Sequence, residues 1–79
     1  MEKYVPINCD YYDELEAIAT IGKAVKIIYL DNESRVEVVA KIRDLYVRES
    51  VEYMKLDSGV EFRLDKLVEA DGKPVKNFC

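Results

Sequence analysis

The sequence predicts a mainly β chain with one N-terminal α-helix, folded into a small, strongly bent antiparallel barrel. Three observations lead there. A single stretch near the N-terminus has helical periodicity, and about five short stretches after it have strand character. No segment between those strands is long enough for the crossover that a parallel pair requires. With 49% hydrophobic and 35% charged residues, the 79-residue chain has the composition of a folded domain with one modest core. An Sm-like or SH3-like barrel fits this pattern. The expected organisation is a single Sm-like domain over residues 1–79, with a helix at about 10–21, a barrel at about 24–70 and a short C-terminal tail.

Each element has a local reason. Pro6 disfavours helix at Val5, so residues 1–8 are expected to run extended until Asn8 or Asp10 opens the helix. Asp10 fits the cap best, with Asp13 three residues on in the place of a capping-box carboxylate. Gly22 is a natural stop. At about 100° per residue, Tyr11, Leu15, Ile18, Ala19 and Gly22 form a packing stripe, whereas Asp10, Asp13, Glu14 and Ala17 gather opposite it. Tyr12 and Glu16 share a flank between the two faces.

Ala24 to Leu30 is a Val- and Ile-rich run, followed by the turn residues Asp31-Asn32-Glu33-Ser34. Arg35 to Arg43 alternates, with Val36, Val38, Ala40 and Ile42 on one face; only Val39 breaks the polar side. Val51 to Leu56 and Val60 to Leu64 flank a hairpin turn at Asp57-Ser58-Gly59, with Val60, Phe62 and Leu64 inward. Tyr53 and Phe62 are read as core. Lys66 to Ala70 supplies a last strand, and Asp71-Gly72-Lys73-Pro74 turns into a loose tail.

Charge is distributed unevenly. The net charge is −4. Residues 1–22 hold Glu2, Asp10, Asp13, Glu14 and Glu16 against Lys3 alone, while residues 23–79 balance eleven acidic with eleven basic side chains. The whole imbalance therefore belongs to the N-terminal segment. A concentrated negative face disfavours direct RNA or DNA binding, because nucleic-acid-binding surfaces carry Lys and Arg for the phosphates. It suits a basic partner, including one that itself binds nucleic acid.

The absence of histidine removes the commonest general base and metal ligand, so the chain is read as non-enzymatic, with no cofactor or metal. Cys9 and Cys79 form no C-x-x-C pair and are expected to be free thiols, Cys9 as a small buried residue. Lys26 and Asp31 interrupt the longest apolar candidate, Ala24 to Leu30, which is far below membrane-spanning length, and a cytoplasmic location is expected.

The string Tyr4-Val5-Pro6-Ile7-Asn8-Cys9-Asp10-Tyr11-Tyr12-Asp13-Glu14-Leu15-Glu16 resembles the Rho-binding antiterminators, the Rof-like proteins, which open with Y-x-P-I-N-C-D-x-Y-D-x-L-E. The similarity continues at Val51-Glu52-Tyr53 and Arg63-Leu64-Asp65-Lys66, reaching to about Ala70 with a shorter hairpin around Ser58-Gly59. It implies an Sm-like barrel whose N-terminal helix binds the transcription termination factor Rho, a hexameric RNA-dependent helicase, at its primary RNA-binding surface. Such a protein excludes RNA and reduces Rho-dependent termination; the free protein is expected to be a monomer.

Carried over residue by residue, the pattern places Asn8, Asp10, Tyr12 and Asp13 at the partner-binding start of the helix, and Glu14 adds a carboxylate. Arg48 and Ser50 are the loop candidates, although the chain reads Arg48-Glu49-Ser50 where relatives carry a basic, amide-bearing stretch after Arg. Asp13 and Glu14 are expected to pair with Arg or Lys of the partner while Asp10 mainly caps. Acids in a first helical turn also stabilise the helix through its dipole whatever the protein does. Tyr12 either lies where an RNA base would stack or packs on the barrel rim. Arg63, Asp65 and Lys66 are read as a structural ion-pair cluster. The competing readings are an Sm-like RNA-binding module and an acidic decoy for another nucleic-acid-binding protein.

Overall fold

The computed structural model describes residues 7–75. The extended segment expected at residues 1–8 and the thiol of Cys79 thus fall largely or wholly outside the described residues.

Helix α1 spans Cys9–Ile21 and is capped by Asn8, whose side chain accepts a hydrogen bond from the Tyr11 N–H at 3.1 Å. Asn8 takes this role in place of Asp10, because its extended backbone (φ −54°, ψ 135°) lets Oδ1 turn back onto the third helical N–H. Asp10 then falls in the first turn, and Asp13 is too far along the helix for a capping box. Gly22 ends the helix in the left-handed region (φ 74°) and returns its N–H to the Ile18 carbonyl at 3.1 Å, as glycine readily does. Tyr11 and Leu15 are buried, with Ile18 and Ala19 packed beside them, so the packing stripe is the one the periodicity indicates.

Among the described residues seven strands follow: β1 (Val25–Asp31), β2 (Ser34–Ala40), β3 (Ile42–Arg48), β4 (Val51–Leu56), β5 (Glu61–Arg63), β6 (Leu67–Ala70) and β7 (Lys73–Pro74), with a 3-10 turn at Leu64–Lys66. They form two antiparallel sheets in the orders β2-β1-β6-β7 and β3-β4-β5. Among the described residues these ladders do not close on each other, so the observed architecture is two sheets and one helix rather than a hydrogen-bonded barrel.

Three sequence expectations change. The alternating stretch at Arg35 to Arg43 is not one strand: the chain turns a corner at Lys41 and continues as β3 through Asp44–Arg48, which the sequence had left unassigned. Face selection survives the corner, since Ala40 and Ile42 are both buried. Tyr53 is not core but stacks on Tyr46 of the neighbouring strand, 5.2 Å between ring centroids; its register partners Tyr46 and Arg63 put it on the outer face. The turn expected at Asp71-Gly72-Lys73-Pro74 is confined to Asp71 and Gly72, both with positive φ, and Lys73 and Pro74 form a short strand that pairs with Ala70 and Glu69.

Ile7, Leu15, Ile27, Met54, Leu56 and Leu64 are the most completely buried side chains and bring helix and both sheets onto one apolar centre. Phe62 joins it by stacking on Tyr29 at 4.5 Å. Outside the core, Arg63 and Asp65 of the expected three-residue cluster pair at 2.7 Å, whereas Lys66 makes no ion pair among the described residues. Among the described residues, no helix is long and apolar enough to cross a membrane.

Candidate functional site

The start of α1 is held in place from both sides, and each side carries its own chemistry. On one side the Tyr11 hydroxyl donates to the Lys73 carbonyl oxygen at 2.7 Å, which ties the helix to β7. A cleft of about 290 Å³ opens beside this bond, lined by Asn8, Asp10, Tyr11, Glu14, Lys73 and Pro74. Within it the Lys73 ammonium meets a Glu14 carboxylate oxygen at 3.4 Å, both groups being well exposed. Glu14 is therefore engaged within the chain. Burial pushes the Tyr11 phenol up to about 12, a backbone hydrogen bond at Ala70 opposes this, and Glu14 and Glu69 add to it.

On the other side the backbone N–H of Ile7, next to the cap, donates to Glu52 Oε1 of β4 at 3.1 Å. This bond brings the end of the β3–β4 hairpin to the helix start. Tyr12 sits half-buried on this flank, packed against the core, and its phenol is raised by burial first and then by Glu16, Glu52 and Asp44. The acidic surface thus extends beyond the helix onto two strands.

Between these flanks the exposed carboxylates of Asp10 and Asp13 face solvent. Asp13 lies two positions, about 200° of helix, from both Tyr11 and Leu15 and so projects away from the core, while Asp10 sits in the first turn one residue before Tyr11, off the packing stripe. Tyr12 takes the rim position.

The loop residues lie at the hairpin end. Arg48 closes β3 with its guanidinium over the Tyr46 ring, 5.6 Å from the centroid. Glu49 and Ser50 form the two-residue turn with φ of 52° and 66°, the paired left-handed geometry that hairpin twist demands, although neither residue is glycine. A side-chain hydrogen bond to Glu61 is the main reason the Tyr46 phenol is raised.

Cys9 departs from expectation. It lies exposed at the first helical position, off the packing stripe, and it is disulfide-bonded rather than a buried free thiol.

Glu52, Asp44 and Lys73 join the site without having been singled out beforehand. Glu52 stood in the family-like triplet Val51-Glu52-Tyr53, but its bond to Ile7 spans 45 positions and leaves no local signal. Lys73 belongs, by its sequence, only to the turn residues after Ala70.

No family model matches this chain. Two curated proteins are similar to it, Protein rof of Escherichia coli (strain K12) and Protein rof of Shigella flexneri. Each is 36% identical over 69 residues, covering 84% of this chain and 79% of the relative.

Proposed function

This chain belongs to the Rof family, and from that premise we propose that it is a non-enzymatic cytoplasmic regulator that binds Rho and keeps RNA from its primary binding surface. In this reading residues 1–79 act as one Sm-like domain, monomeric when free. The observation that carries the proposal is the presentation of Asp10 and Asp13 on the outer face of a helix whose start is fixed by Asn8, Tyr11 and Ile7.

An RNA-binding surface must be basic to neutralise phosphates, so a rigid row of carboxylates competes for the same Arg and Lys side chains. Long-range attraction speeds the encounter, and charge-assisted hydrogen bonds to Arg fix orientation. Asn8 positions the first turn, Asp13 supplies an unengaged carboxylate, and Glu14 contributes after release from Lys73. Tyr12 offers a ring edge at the rim. Arg48 and Ser50 extend the contact from the hairpin end.

The test is the double substitution Asp13→Asn with Glu14→Gln, with binding to the Rho hexamer measured across a salt series. Affinity should fall about tenfold at low salt, roughly 1.4 kcal/mol, and the salt dependence should flatten. Unchanged affinity with an unchanged salt slope would reject the assignment. Competition by cytidine-rich RNA for the same hexamer checks the mechanism.

A rival reading rests on the outer face of β3–β4, where Tyr46 and Tyr53 stack and Arg48 lies over Tyr46. Aromatic rings beside cations suit single-stranded nucleic acid. A direct RNA shift by the isolated protein would favour that alternative.

A further inference from the structure

Val47 is an exposed apolar residue (58% exposed) in a strand whose neighbours on the same face turn into the core. Its direct register partner is Glu52, so the two side chains share one face of the β3–β4 ladder. Two residues further along that face, Leu45 packs against the core and its partner Met54 is fully buried. Val47 therefore stands at the mouth of the core, beyond the last covered position. Glu52 accepts from the Ile7 N–H at 3.1 Å and acts on the Tyr12 phenol, which places this mouth at the start of α1.

We infer that Val47, with the rim ring of Tyr12, is the apolar centre of the partner-binding surface and covers a base-stacking aromatic platform on the nucleic-acid-binding face of the partner. The inference rests on the proposed function and deepens it. Surfaces that hold single-stranded nucleic acid combine cations for the backbone with exposed aromatic rings for the bases. A competitor that supplied only carboxylates would leave those rings in water. This surface carries both chemistries: Glu16, Asp44 and Glu52 act on the Tyr12 ring and Glu52 is the cross-strand partner of Val47, so carboxylates flank the apolar residues as a polar rim flanks a desolvated centre. Charge complementarity and continuity with the acidic helix identify the occupant as this basic, aromatic-bearing groove.

The experiment measures Rho hexamer affinity, without RNA, for Val47→Ser and for Val47→Thr, which keeps the β-branched shape of the strand residue. Val39→Ser serves as control, because Val39 is 72% exposed but lies on β2, away from the helix start. The expected result is about tenfold weaker binding for Val47→Ser, a smaller loss for Val47→Thr, an unchanged salt slope, and no change for Val39→Ser. Wild-type affinity in both Val47 variants, while Asp13→Asn with Glu14→Gln still weakens binding, overturns this inference and leaves the proposed function standing. An equal loss from Val39→Ser also overturns it, since the apolar contribution would then be unspecific. If the parent protein does not bind Rho at all, the proposed function and this inference fall together.

Discussion

The hydroxyl of Tyr11 donates a 2.7 Å hydrogen bond to the main-chain carbonyl oxygen of Lys73, joining residues 62 positions apart. One bond fastens the acidic helix to the last strand of the larger sheet, and its donor is a phenol that burial has pushed up to about 12.

That phenol makes stability pH-dependent at the alkaline end. Its folded-state value lies above the ordinary value of 10.0. Between roughly pH 10 and 12 the unfolded chain has lost this proton while the folded one keeps it, so stability is full below about pH 10 and falls as pH rises through that window. Tyr11→Phe should flatten this alkaline decline and cost about 1 kcal/mol at neutral pH through the lost hydrogen bond. Urea midpoints at pH 7 and across the alkaline range check both effects.

Asn8 holds the other end of the same turn. Asn8→Ala removes the acceptor for the Tyr11 N–H and should lower stability by about 1 kcal/mol, whereas Asn8→Ser, which retains a capping oxygen, should recover most of it. Parallel denaturant titrations separate these cases. A Rho affinity that follows stability in both variants assigns Asn8 to positioning; loss of affinity in the well-capped serine variant assigns it to contact.

The Lys73–Glu14 pair is an internal competitor. Lys73→Met keeps an aliphatic side chain beside the Tyr11 ring but releases the Glu14 carboxylate and removes one positive charge from the site. Exposed pairs of this kind contribute little, so stability should change by less than about 1 kcal/mol. Affinity for a basic partner should rise several-fold at low salt and converge with the parent protein at high salt. Calorimetric titration at two ionic strengths measures both.

The helix and its packing face were legible because Tyr11, Leu15, Ile18 and Ala19 carry a 3.6-residue period that only one element type satisfies. Face selection in β2 was equally readable from Val36, Val38 and Ala40. The corner at Lys41 was not, since alternation runs on through Ile42 while the chain changes sheets. Its cause is tertiary: the Lys41 N–H donates to Asp57 Oδ1 at 3.3 Å, and its carbonyl accepts from the Asp57 N–H at 3.0 Å. Tyr53 misled for a related reason, because an aromatic in an apolar strand reads as core until a second ring, Tyr46, is found to shelter it outside.

The site divides in the same way. Asp10, Asp13 and Glu14 declare themselves by local charge density, and Asn8 by its residue type. Glu52 and Lys73 belong to the site only because strands distant in sequence end beside the helix. Periodicity carries no trace of such distant pairings.

The two-residue turns at Asn32–Glu33, Glu49–Ser50 and Asp71–Gly72 imply an order of assembly. Each closes a hairpin between neighbouring segments, a microsecond event. The β1–β6 ladder instead joins Ile27 to Ala70 and must wait for the intervening chain to be gathered in. The Tyr11–Lys73 bond closes a longer loop still, so the tie between the acidic helix and β7 belongs with the slow, long-range contacts rather than with the local hairpins.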